Sequence, residues 1–229
     1  MYGLGYYSDP TWLLLIVMSL VLGFSTQIYI KSRYKKWNKV PNTVGLAGGQ
    51  AARKMLDANG LSQVGIVVVS GQLTDHFDPK TNTVSLSEEV YRTRSVSAMA
   101  IACHECGHAI QHAARYAPAV IRGALVPPIN IASNLWMFVL ILGVSMDFVG
   151  MIWAAVILYL VTIAFQLVTL PVEFNASRRA REFINSYGYI PQEESKGAAS
   201  VLSAAALTYV AAALISLLQL LRIFSYTRR

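Results

Sequence analysis

Between residues 104 and 108 the chain reads His104-Glu105-Cys106-Gly107-His108, two imidazoles four positions apart with a carboxylate beside the first. On an α-helix that spacing puts both rings on one face, about one turn apart, where they can bind one ion. Glu105 falls about 100° round the helix, beside the ion rather than on it. This is where a general base must sit to take a proton from a water molecule that a metal has acidified. The pattern therefore points to a single catalytic Zn2+ and to hydrolysis of a peptide bond. The alternative is a chance match with locally bonded rings, but two of the chain's four histidines stand at this spacing with a glutamate between them.

A catalytic zinc site needs a third protein ligand and an open position for water. His76, His112 and a downstream carboxylate are the candidates. His112 lies eight residues past His104, about 12 Å along a continuous helix, too far for one ion with ligands at about 2 Å. His76 falls in an expected hairpin, where it can enter the site, contact substrate or be a satisfied loop residue. Glu173 is the better choice, because the two apolar runs between His108 and Glu173 return the chain to the same side of a membrane. On its helix Glu173 shares a face with Ala176, Ser177 and Ala180, all small enough for close approach to the active-site helix. An interfacial ion pair with nearby arginines is the competing role for Glu173. Cys103 and Cys106 point roughly away from the histidines on a helical wheel, so they read as buried packing.

The elements that must position these residues are mostly helices. Thr11 to Ile30 is apolar for about 20 residues, or about 30 Å of helix, enough to cross a bilayer. Tyr7 and Trp12 would mark its outer interface. It reads as a retained anchor, and Lys31, Arg33, Lys35, Lys36 and Lys39 after it place that end in the cytoplasm and the N-terminus outside. A helix is expected from Leu46 to Ala58, stopped at Asn59-Gly60. Ile66 to Val69 is a β-branched strand, and Leu73 to Phe77 and Thr83 to Leu86 flank a turn at Asp78-Pro79-Lys80-Thr81-Asn82. Ser87 before Glu88 and Glu89 suits a helix start, and Ser95 or Ser97 starts the next helix.

Val126 to Val144 and Met151 to Leu170 read as a membrane hairpin, with Pro127 and Pro128 in its first turn and Pro171 closing its second arm. Arg178, Arg179 and Arg181 follow on the cytoplasmic side. Ala198 to Leu221 is a fourth run, rich in small residues that let membrane helices pack closely. Arg222, Arg228 and Arg229 after it conflict with four crossings, so a segment that dips in and returns, or lies buried in protein without crossing, is the alternative. The expected organisation is an anchor (1–30), a cytosolic lobe with a small sheet and the active-site helix (31–125), a membrane hairpin (126–170), a third-ligand helix (171–197) and a last membrane helix with a basic tail (198–229).

Composition agrees with this organisation. Of 229 residues, 55% are hydrophobic and 14% charged, with a mean hydropathy of +0.45, too few charges to coat a water-soluble globule. The net charge of +7 reports orientation and contact with anionic lipid, not nucleic-acid binding. Two cysteines make no disulfide framework and fit a reducing compartment. A transporter is a poor alternative, since Gln166 and Asp147 are the conspicuous polar residues near the spans.

The chain resembles the YugP-type neutral zinc metallopeptidases, small bacterial membrane proteins, over nearly its whole length. The stretches that carry the likeness are Asp75-His76-Phe77-Asp78-Pro79, His104 through His112, Pro171-Val172-Glu173-Phe174, and Ala204 through Ala213. More distantly it is similar to the HtpX-type membrane proteases and CAAX prenyl proteases, in which a Glu-Phe-x-Ala-Asp segment supplies the third ligand. That likeness implies Glu173 as the ligand, and it departs at Ser177, where the pattern has aspartate. The carboxylate that would orient a histidine is then to be sought in Asp75, Asp78 or Glu182.

The expected fold is a mostly α integral membrane protein, zincin-like (gluzincin), with about four transmembrane helices and a small β-sheet or hairpin. The expected function is zinc-dependent endopeptidase action on membrane or membrane-adjacent polypeptides, in a bacterial cytoplasmic membrane with the site facing the cytosol. Zinc is held by His104, His108 and Glu173, Glu105 activates water, and His76, Arg178, Arg181 and Tyr187 are candidates for contacting substrate or the oxyanion. Partners are the bilayer and a polypeptide, with a membrane complex or homo-oligomer as a compatible setting. The alternative function is a zinc-binding membrane scaffold without peptidase activity.

Overall fold

The structure, a computed structural model, describes residues 10–186 and 190–227. Tyr7, Tyr187, Arg228 and Arg229 lie outside the described residues. Among the described residues, seven helices and three strands run in the order α1 (Pro10–Asn38), α2 (Gly48–Ala58), β1 (Gly65–Val69), β2 (His76–Asp78), β3 (Thr83–Ser87), α3 (Glu88–Arg92), α4 (Val96–Ala113), α5 (Ala117–Ser145), α6 (Val149–Ser186) and α7 (Gln192–Thr227). They divide into two compact units, one of Met1–Thr26, Ile121–Leu170 and Thr208–Arg229, the other of Gln27–Val120 and Pro171–Leu207.

The first unit is helical and apolar. Among the described residues, four helices, α1, α5, α6 and α7, are long and apolar enough to cross a membrane. Leu14, Leu20, Val21, Phe24, Phe138 and Ile157 all stand exposed on them. In water they would form an untenable apolar patch, whereas in a bilayer they meet lipid. Where α5 and α6 turn back on each other, Leu140, Val144, Ala155, Val156, Tyr159 and Ile163 form a core, with the Trp136 and Tyr159 rings 4.5 Å apart. Hydroxyls that would be orphaned there return to their own helix, as in Thr162 to the Tyr159 carbonyl and Ser145 to that of Ile141.

Two local proline expectations are corrected. Pro127 and Pro128 lie inside α5 rather than in its first turn, because the chain already turns at Arg115, whose φ of 48° ends α4. Pro171 likewise does not close a helix, since α6 continues to Ser186. An interior proline costs about 3 kcal/mol. Beyond Pro171, however, Val172, Ala176, Ala180 and Ile184 are all buried, and two such large apolar side chains return about 1.5–3 kcal/mol each. α7 is one unbroken helix, which a segment that turns back within the bilayer is not.

The second unit carries the sheet and α4. β3 is central in the order β1-β3-β2, parallel to β1 and antiparallel to β2, so Val84, Ser85, Leu86 and Ser87 are all buried. The hairpin forms where expected, but its first strand is short because Leu73 has a φ of 56°, which extended pairing does not tolerate. α2 starts at Gly48, two residues after the expected Leu46, and buries Ala51, Ala52, Met55 and Leu56. A Cβ on Gly48 would lie 2.2 Å from the Val90 carbonyl oxygen, so only glycine lets α2 begin there. α4 is capped by Ser95, whose Oγ accepts from the Ala98 N–H at 3.1 Å and donates to Asn38 Oδ1 at 2.7 Å. Asn38 in turn donates to Glu89 at 2.6 Å. The start of α4 is thus bonded to the end of α1.

Candidate metal centre

α4 carries His104 and His108 one turn apart, with ring centroids 4.8 Å apart and planes at 84°. Both Nε2 atoms face one oxygen of Glu173, which comes from α6. His104 Nε2 is 3.3 Å from Glu173 Oε2, and His108 Nε2 is 3.8 Å from the same atom. All three ligand atoms lie within 4.8 Å of one another. Ligands bound at about 2.0–2.1 Å in a tetrahedron are separated by about 3.3 Å. The group is therefore near the size of a zinc site, and two imidazoles with one carboxylate are a donor set that zinc accepts.

The other ring nitrogens have partners too. Ser177 Oγ lies 3.2 Å from His104 Nδ1, and Gln111 Oε1 lies 3.1 Å from His108 Nδ1. Asp75, Asp78 and Glu182, the expected sources of an orienting carboxylate, each have a partner of their own. Asp75 accepts from the Ser87 N–H at 2.7 Å, Asp78 closes the hairpin turn through Lys80 and Thr81, and Glu182 stands 3.9 Å from Arg178. At the expected aspartate position it is the Ser177 hydroxyl that lies against the His104 ring.

Glu105 is buried, at 8% exposure. Burial pushes its carboxyl up to about 7; the His104 ring opposes this, and the charges of Glu173 and Asp75 add to it. A carboxylate held in so apolar a place gains by accepting a proton, as a general base must.

Close helix approach brings Glu173 to this face. A Cβ on Gly107 would lie 2.8 Å from the Ala176 carbonyl oxygen and 3.0 Å from its Cα, both backbone atoms that cannot rotate away. Gly107→Ala is therefore expected to push the Glu173 segment of α6 off α4, costing about 1–3 kcal/mol by overpacking and lowering zinc content. Thermal unfolding and metal analysis check this; wild-type values for both would mean the helices do not meet there.

The remaining candidates fall elsewhere. His76 is exposed on β2, its Nδ1 2.8 Å from the Thr74 carbonyl oxygen. His112 is exposed and packs against Phe77, ring centroids 5.7 Å apart. Arg178 and Arg181 are exposed. Cys103 and Cys106 are buried, the latter directed at the Ala52 carbonyl, and burial raises both thiols. Gln111 and Gly107 are the residues that sequence reasoning missed. Gln111 had one signal, its position three residues after His108 on the same helix face.

A family model described as "Putative neutral zinc metallopeptidase" matches residues 12–228. The chain is 46% identical over 211 residues to "Putative membrane protease YugP" of Bacillus subtilis (strain 168), an alignment that covers 92% of this chain and 94% of the relative. No solved structure matches it.

Proposed function

The chain belongs to this family of neutral zinc metallopeptidases, and from that premise we propose that it is a membrane-embedded endopeptidase that hydrolyses membrane or membrane-adjacent polypeptides. The observation that carries the reading is the convergence of His104 and His108 Nε2 on one Glu173 oxygen, beside a buried Glu105. One catalytic zinc ion, when bound there, supplies Lewis acidity toward a water molecule and a scissile carbonyl.

His104, His108 and Glu173 hold the ion, and Ser177 and Gln111 keep the two rings turned toward it. Glu105 takes the proton from the attacking water on its carboxylate and returns it to the leaving amine. β2 pairs with β3 on one side only, so its other edge offers backbone groups to an extended polypeptide by strand addition. Of the expected donors, His76 is the one on that strand; His76, Arg178 and Arg181 remain the candidates for contacting substrate or the oxyanion. This arrangement is a zincin-like one.

Three protein ligands suit an open catalytic site better than a structural one, which is usually closed by four. The basic residues after the first span and around Arg178 favour a cytosolic site, an outside N-terminus and a bacterial cytoplasmic membrane. Glu173 follows the apolar stretch ending at Leu170 by three residues, which supports substrates at or near the bilayer.

The test is metal dependence. Purified protein in lipid nanodiscs is expected to carry one zinc per chain and to cleave members of a quenched-fluorescence peptide library. A strong chelator abolishes cleavage, and equimolar zinc restores it. Zinc-loaded protein that cleaves nothing across the library would establish the scaffold alternative instead.

A further inference from the structure

Gln111 is 1% exposed and bonds to three groups at once. Its Nε2 donates to the Val172 carbonyl at 2.7 Å and to Asn175 Oδ1 at 3.0 Å. The Asn175 atom is an oxygen because Arg179 Nε donates to it at 2.9 Å. Both amide hydrogens of Gln111 are thus used on acceptors, and the amide cannot be flipped without facing oxygen with oxygen. Its Oε1 is left 3.1 Å from His108 Nδ1. That nitrogen must then carry a proton, which in the neutral ring leaves the lone pair on Nε2, the atom turned to Glu173.

The Val172 carbonyl belongs to the peptide unit that joins Val172 to Glu173. A single buried amide on α4 therefore bonds the ring of one ligand and the peptide leading to another, although the two ligands are 65 residues apart in sequence. Ser177, by contrast, touches one ligand, His104, from Glu173's own helix. We infer that Gln111 is a positioning residue that sets the tautomer of His108 and the placement of Glu173 together, so the site is assembled before metal arrives. This rests on the zinc-site reading above and adds a coupling between two of its ligands.

Two measurements test it on the full chain in detergent micelles. Ring 15N NMR of the metal-free wild type, above the titration range of the histidines, is expected to show His108 protonated on Nδ1. Protonation on Nε2 overturns the proposal, and this measurement needs no variant to fold. Zinc affinity by chelator competition is then compared for wild type, Gln111→Met, Glu173→Gln and the double variant. Gln111→Met is expected to weaken zinc binding about 10–100-fold, and to cost clearly less when Glu173 is already glutamine.

Equal cost in both backgrounds removes the coupling to Glu173, and unchanged affinity of the single variant overturns the role altogether. A wild type that binds no zinc defeats the metal-site reading instead. The tautomer measurement still reports on Gln111 in that case.

Discussion

Glu105→Gln is expected to abolish peptide cleavage while the protein keeps its zinc at one ion per chain. The amide has nearly the shape of the carboxylate and is no worse at filling a site that is 8% exposed, but it cannot accept a proton from water. Loss of a positioned general base costs about 10²–10⁴ in rate, or about 3–5 kcal/mol of transition-state stabilisation. Glu105 lies beside the ligands rather than among the group His104, His108 and Glu173, so metal content is expected to stay at the wild-type level. Burying a neutral amide is also easier than burying a charge, and the thermal midpoint of the variant should equal or exceed that of wild type. The decisive comparison is zinc by mass spectrometry and turnover on the same preparation. Substantial residual turnover with full zinc would assign proton transfer to another group.

Glu173→Gln is expected to do the reverse, removing zinc itself. Glu173 supplies the one negative charge among the three ligands, and an amide oxygen is a far weaker partner for a divalent ion. The loss in zinc affinity should exceed the 10–100-fold that follows from removing an outer partner of a ligand, and activity should fall with occupancy. At 5% exposure the side chain is packed, and the isosteric change leaves that packing in place. Helical circular dichroism is therefore expected to be unchanged. Full zinc occupancy in this variant would reduce Glu173 to an ion-pair partner and reopen the search for the third ligand.

The two experiments separate functions that lie on different levels of the molecule. Glu105 and the histidines share one helix, so their geometry follows from 3.6 residues per turn once that helix forms. The Ala98 N–H bond to Ser95 and the small residues behind the motif are also local features. The four apolar stretches were legible for a similar reason, since about 20 apolar residues in a row suffice to cross a bilayer. The hairpin turn at Asp78-Pro79-Lys80-Thr81-Asn82 was readable from turn chemistry.

Other features depend on partners distant in sequence. A proline rule applied residue by residue closed a helix at Pro171, yet α6 continues because Val172, Ala176, Ala180 and Ile184 are buried beyond it. The parallel pairing of β1 with β3, rather than a simple meander, cannot be read from strands of similar composition. Ser177 looked like a missing aspartate, and only its 3.2 Å approach to His104 Nδ1 shows a hydroxyl in the orienting place.

By itself the sequence determined the chemistry on offer, two imidazoles on one helical face with a carboxylate beside them, and the apolar lengths that demand a membrane. The tertiary structure decided how that chemistry is assembled. It brings α6 against α4 across Gly107, sets Glu173 opposite both Nε2 atoms, and uses Gln111 to bond the two helices. The physical reason is that helical periodicity acts over a few residues, whereas the approach of two helices depends on which backbones can touch, and that is settled only when both are packed.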